Sequence, residues 1–134
     1  LRQAIKKQGS AMIGYATIGT NDLERAKTFY DAVLEPLGGR RTFANGDRMQ
    51  FYGSSAAPGM IAISKPYDEQ PATWGNGSMF GLPAATKEQV DAAHKAALAA
   101  GGTCEGAPGQ RMPTFYGAYF RDLDGNKICV FNMG

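Results

Sequence analysis

At 134 residues, the chain suffices for one domain with a moderate core and is too short for two independent ones. Its formal net charge of +2, from 14 basic and 12 acidic residues spread along the chain, is too small to argue for nucleic acid, and no apolar run approaches the roughly 20 residues of a membrane-spanning helix. Two cysteines, Cys104 and Cys129, without a secretory apolar segment or a Cys-rich framework, read as free thiols in a reducing cytoplasm.

Residues 1–11, LRQAIKKQGSA, carry Arg2, Lys6 and Lys7. They read as a tail or remnant ahead of a native start at Met12, with a docking helix as the alternative. A strand is predicted from Ile13 to Gly19, its alternation placing Ala16 and Ile18 on one face and Tyr15 and Thr17 on the other. Asn21 stands three residues before Glu24, the spacing of a capping box at a helix start. Leu23, Ala26, Tyr30, Val33 and Leu37 then recur at helical spacing, and Pro36 with Gly38-Gly39 stops the helix. RRTFA and MQFYG flank Asn45-Gly46, a strong hairpin signal, and the strand MIAISK closes a first module over residues 12–66.

Residues 67–76 hold Pro and Gly in a polar setting and read as a linker. The second module, 77–133, opens with the strand SMFGLPA. Thr86 and Gln89 make a second capping box, Val90, Ala93 and Ala97 form the stripe, and Gly101-Gly102 ends it. The stretch EGAPGQRMPT reads as a loop before the strand FYGAYFRD, and Asp124-Gly125 turns into a last strand, KICVFN. Residues 12–39 and 76–102 therefore follow one plan at an offset of about 64 positions. The order is β-α-β-β-β twice: an α+β fold of two βαβββ modules forming one curved, cup-shaped mixed sheet. The helices are expected on its outer face and a pocket between its halves.

The run YATIGTNDLERAKTFYDAVLEPLGG, the central GNG and the closing YFRDLDGNKICVF resemble the vicinal oxygen chelate superfamily, the glyoxalase/bleomycin-resistance/extradiol-dioxygenase group, over residues 12–133. The resemblance implies paired βαβββ modules curled into a cup, often assembled as a dimer. Members include metal-dependent lyases, isomerases, epimerases and dioxygenases, and metal-free proteins that sequester antibiotics. In metal-using members the first strand carries a His seven residues before the Asp of the helix start; the matching position here is Tyr15. A second ligand in the first strand of the second module falls at Met79, or Ser78 in the neighbouring register. The Glu three residues after the Asn of the DGN turn falls at Cys129. The sole histidine, His94, falls on the second helix and is expected to be a partly buried surface residue.

A phenol, a thioether and a thiol suit a hard divalent ion poorly, so no metal and no cofactor are expected. Tyr15 reads either as a hydrogen-bond donor or weak catalytic candidate, or as an aromatic plug. Cys129 reads as a buried structural thiol, Met79 as packing or a soft wall, and Cys104 as an exposed loop thiol. Arg111, with Arg121 and Lys127, suits an anionic group, against the alternative of a solvated basic face. Trp74 is expected to lid the cup or bury in a dimer contact. Phe51, Tyr116, Tyr119 and Phe131 make an aromatic belt of which about half is expected to serve the core.

Tyr15, Thr17, Phe51, Trp74, Met79, Arg111, Tyr119, Cys129 and Phe131 are thus the candidate ligand-binding residues. The expected function is metal-independent binding of a small, partly aromatic, neutral or anionic molecule by a cytoplasmic homodimer, with neither nucleic acid nor membrane as partner. The rival readings are a lyase/isomerase or dioxygenase-like enzyme using Tyr15 as acid/base, a metal enzyme whose ligands lie elsewhere, and a scaffold with a filled cup.

Overall fold

A computed structural model describes residues 11–55 and 57–134; apart from Ala11, the tail predicted at 1–11 lies outside them. The first module runs β1 (Tyr15–Gly19), α1 (Leu23–Leu34) with a 3-10 turn (Glu35–Leu37), β2 (Arg40–Asn45), β3 (Met49–Ser54) and β4 (Ala57–Ser64). The second repeats it as β5 (Phe80–Pro83), α2 (Lys87–Ala99), β6 (Thr103–Met112), β7 (Phe115–Arg121) and β8 (Lys127–Asn132). Each module forms its own four-stranded mixed sheet, ordered β1-β4-β3-β2 and β5-β8-β7-β6. The first strand of each module pairs in parallel with that module's last strand, and the remaining pairs are antiparallel. The α+β class and the paired modules are as expected. The single sheet is not: the halves stay as two sheets, and neither closes on itself.

One face of each sheet packs on the helices, and the two helices share one core. Ile18, Tyr52 and Ile63 enter it from the first sheet and Ala118, Phe120, Ile128 and Val130 from the second. Phe29, Tyr30 and Val33 of α1 meet Val90, Ala93 and Ala97 of α2 in the same cluster, and the rings of Phe29 and Phe120 lie 6.1 Å apart across the modules. Each large aliphatic or aromatic side chain taken fully from water there contributes about 1.5–3 kcal/mol. This shared burial ties the two sheets to one core.

The helix ends follow local rules, with one correction. Thr86 and Gln89 form the expected capping box on α2. The cap of α1 is instead Asp22, whose Oδ1 accepts from the Arg25 amide at 3.1 Å. Asn21 is drawn to the linker: its Oδ1 accepts from the Ala72 amide at 2.7 Å and its Nδ2 donates to the Ala72 carbonyl at 3.2 Å. Gly38, at φ +80°, ends the first helical segment in the left-handed region that a side chain disfavours.

Three further expectations change. The stretch EGAPGQRMPT is mostly strand β6, because β7 offers it a ladder; it tolerates Pro108 and three register shifts as an edge strand. His94 is no surface residue: it is 6% exposed, edge-on to Phe120 at 6.5 Å, and its Nε2 has no hydrogen-bond partner among the described residues. Tyr116 leaves the expected belt for the helix side of its strand, where its hydroxyl donates to Asp91 on α2 at 2.6 Å.

Candidate functional site

The face of each sheet turned away from the helices is open, and strand alternation decides which side chains occupy it. On the first sheet, Thr17 of β1 stands opposite Ala62 of β4, which stands opposite Phe51 of β3. Tyr15 meets Phe51 edge-on at 5.1 Å, and Phe43 stacks on Phe51 at 4.2 Å. Phe51 is 6% exposed, whereas Tyr15 and Phe43 are each 54% exposed. Phe51 is therefore the floor of an aromatic surface whose flanks face solvent. Phe43 was not foreseen; a register shift between Arg41 and Ala44 sets its direction, and such a bulge leaves no clear mark in sequence.

On the second sheet, Gly81, Cys129 and Tyr119 form one cross-strand row and Phe131 and Gly117 the next. Phe131 stacks on Phe115 at 5.3 Å, and a Cβ on Gly81 would come within 3.2 Å of the Phe131 ring. The guanidinium of Arg111 and the ammonium of Lys127 lie 5.5 and 5.6 Å from the centre of the Tyr119 ring. Cys129 is 2% exposed. Burial pushes its thiol pKa up, against a Tyr119 hydrogen bond and the charges of Arg111 and Lys127. Burial likewise raises the Tyr119 phenol, helped by its contact with Cys129 and opposed by Arg111. Cys129 and Tyr119 are thus held neutral near pH 7. Cys104 and Cys129 are both free, the former exposed and the latter buried, as expected.

The superfamily's metal ligands can be tested on these faces. Tyr15 and Met79, 54% and 48% exposed, present a phenol and a thioether, and Cys129 presents a thiol whose ionisation burial opposes. That donor set does not fit a hard divalent ion, which wants imidazole and carboxylate. Among the described residues, no group of three or more His, Cys, Asp or Glu side chains is placed to hold a metal.

The remaining candidates fall in different places. Thr17 lines a groove of about 480 Å³ between the end of the first sheet and the linker, walled by Arg48, Lys65, Tyr67, Asp68 and Gln70. The Arg48 guanidinium lies 5.2 Å from the centre of the Tyr67 ring. Arg48, Lys65 and Tyr67 escaped the sequence reading because nothing local shows that the linker folds back over β1. Trp74 rests on the β7–β8 turn: Gly125, at φ +88°, would place a Cβ 3.1 Å from its ring. Arg121 is occupied by Glu105 at 3.3 Å and by the Gly125 carbonyl at 3.0 Å. Among the described residues, the ring contacts on the two open faces stay within their own sheets: Tyr15 and Phe43 with Phe51 on one, Phe115 with Phe131 on the other. No described helix is long and apolar enough to cross a membrane.

Comparison with known proteins agrees with this architecture. The family model of the glyoxalase/bleomycin resistance protein/dioxygenase superfamily matches residues 12–130. A glyoxalase/bleomycin resistance protein from Albidiferax ferrireducens T118 is 48% identical, with a TM-score of 0.82 over 90% of this chain and 98% of that one. Two more distant structures share the fold. A family enzyme from Burkholderia phytofirmans PsJN is 22% identical, with a TM-score of 0.71 over 92% of this chain and 100% of that one. A lactoylglutathione lyase from Agrobacterium tumefaciens is 23% identical, with a TM-score of 0.64 over 91% and 92%. Comparison with curated proteins returned no match. With its paired modules and a family match over nearly its whole length, the chain belongs to the glyoxalase/bleomycin resistance protein/dioxygenase superfamily.

Proposed function

We propose that this chain is a metal-independent small-molecule-binding member of its superfamily, taking a partly aromatic, neutral or anionic guest. The observation that carries this reading is the pair of open aromatic faces. Tyr15, Phe51 and Phe43 line one, and Tyr119, Phe115 and Phe131 line the other. Planar rings at these spacings suit a planar guest by stacking and edge contacts. The donor set at Tyr15, Met79 and Cys129 supports guest binding over metal chemistry.

Two such faces in one chain also support a homodimer. Exposed apolar patches bordered by polar residues mark interaction surfaces, and a second copy would turn each open face into one wall of an enclosed site. The free thiols of Cys104 and Cys129 support a reducing compartment, read here as the cytoplasm. Catalysis is less well supported. An acid/base group works best with a pKa near the working pH, and Tyr119 and Cys129 are both pushed upward.

Native mass spectrometry of the purified chain, with elemental analysis and a thermal-shift screen of aromatic compounds, tests the reading. A dimer free of stoichiometric transition metal and stabilised by aromatic guests is the expected result. A tightly held divalent ion at one per chain would overturn metal independence, and failure of every aromatic compound to stabilise the protein would overturn guest binding.

A further inference from the structure

The geometry points to an anion anchor on the open face of the second sheet: Arg111, seated in a glycine cradle on β6, and Lys127 together receive a carboxylate, sulfonate or phosphate group carried by the aromatic guest. This rests on the small-molecule-binding reading above and narrows the guest from neutral or anionic to anionic.

Arg111 folds back along its own strand, and its Nη2 donates to the Ala107 carbonyl at 2.6 Å. Two glycines make the space. A Cβ on Gly109 would stand 2.8 Å from Nη1, and one on Gly106 would stand 3.2 Å from Nη2. A Cβ at either position would contact the guanidinium, so the two glycines leave room for this placement. A free arginine loses rotamer freedom on gripping a ligand; one already seated loses less.

The same guanidinium and the Lys127 ammonium approach a single ring, at 5.5 and 5.6 Å from the centre of Tyr119. Each cation is attracted to the ring, and together they give this face a local positive charge that an anionic group can meet. Among the described residues no acid plays that part. The four ion pairs are Arg25–Asp124, Lys27–Glu24, Arg41–Asp31 and Arg121–Glu105. Arg111 keeps further N–H donors for a bidentate grip on a planar or tetrahedral anion. Both cations also act on the Cys129 thiol, so their field reaches the floor of this face. The next cross-strand row holds Phe131 opposite Gly117, with the Phe115 ring stacked on Phe131 and close over Gly117; the ring of the guest would lie there.

Titration of the full chain with 2-naphthoate and 2-naphthamide, which share a ring system and differ in charge, tests the anchor by calorimetry. The expected result is at least about tenfold tighter binding of the carboxylate, with a preference that shrinks as salt is added. Arg111→Gln should cut the preference several-fold, and Arg111→Gln combined with Lys127→Gln should abolish it. Gly109→Ala keeps every charge and displaces only the guanidinium, so it should weaken naphthoate several-fold and spare naphthamide. Equal binding of the two probes to the unaltered chain would overturn the anchor while leaving small-molecule binding standing. A preference that survives Arg111→Gln combined with Lys127→Gln would also overturn it. Binding of neither probe would overturn the anchor, and with it the broader reading only where every compound of the thermal-shift screen also fails.

Discussion

Tyr30, on the first helix, donates its hydroxyl to Asp122 at the end of β7, 2.5 Å away and 92 residues distant in sequence. Asp122 also accepts from the amides of Asp124 and Asn126 at 2.9 Å each and from the Asn126 side chain at 2.9 Å. The same Asn126 side chain donates to the Gly19 carbonyl at 2.9 Å. Asp124 takes the Thr20 hydroxyl at 2.6 Å and the Asn21 amide at 2.9 Å. The DLDGN turn is therefore a latch between the modules. Its carboxylates complete the hydrogen bonding where β1 gives way to α1.

Removing the Tyr30 hydroxyl should cost stability without unfolding the chain, because Asp122 keeps its other donors. Tyr30→Phe is expected to lower the unfolding free energy by about 1.5–3 kcal/mol, the range for a hydrogen bond to a charged group. Urea denaturation measures it, and a change within a few tenths would show that the latch does not depend on this bond. The pH dependence has a definite sign. Burial, then the charge and hydrogen bond of Asp122, raise the Tyr30 pKa well above its ordinary value. The stability this contributes is complete below the unfolded-state pKa of about 10 and is lost as pH climbs from there toward the folded value. Alkaline destabilisation should thus be steeper in the unaltered chain than in Tyr30→Phe.

His94 should make the fold acid-sensitive. Burial lowers its pKa, with Asp91 opposing, and among the described residues Nε2 has no hydrogen-bond partner. The unfolded chain therefore takes up a proton at about pH 6.5, before the folded one does. Stability is expected to fall as pH drops through that value. His94→Leu should remove this part of the acid slope and, by deleting an unsatisfied nitrogen, cost little at pH 8. Chemical denaturation of both proteins at pH 5 and pH 8 checks it; equal slopes would refute the assignment.

The two thiols should react at very different rates. Cys104 is exposed and Cys129 is buried with its pKa pushed up by that burial. One equivalent of iodoacetamide per chain is expected to add quickly at Cys104 under native conditions, and the second only after denaturation. Peptide mass spectrometry locates the label, and early alkylation of Cys129 would mean that the second sheet's open face admits reagents to its floor.

Capping should be measurable on α2 by itself. The Thr86 hydroxyl accepts from the Gln89 amide at 3.1 Å, while Gln89 Oε1 accepts from the amides of Ala85 and Thr86 at 2.7 and 3.3 Å. Thr86→Ala is expected to cost about 1 kcal/mol, and adding Gln89→Ala should cost less than two independent changes, since both serve one cap. Equilibrium unfolding of the single and double variants provides the comparison.

Much of this protein is legible locally. The Thr86 cap, the Asn45-Gly46 turn, the glycine helix stops and the stripe from Leu23 to Val33 each depend on residues a few positions apart. Backbone sterics and hydrogen-bond geometry act at that range, so the sequence by itself determined the βαβββ plan, its repetition, and which strand residues avoid the helices. What lay beyond it depends on distant neighbours. Asn21 had a plausible local partner in Glu24, yet it bonds Ala72, 51 residues away. The segment EGAPGQRMPT has turn composition but becomes an edge strand because β7 lies beside it. His94 occupies the place in α2 that Tyr30 has in α1, and only the packing of Phe120 against it shows that it is buried. The separation of the two sheets, the groove under the linker and the seat of Arg111 on Gly106 and Gly109 were decided by tertiary structure. Their energies come from contacts that exist only once both modules have formed, and no local pattern encodes those.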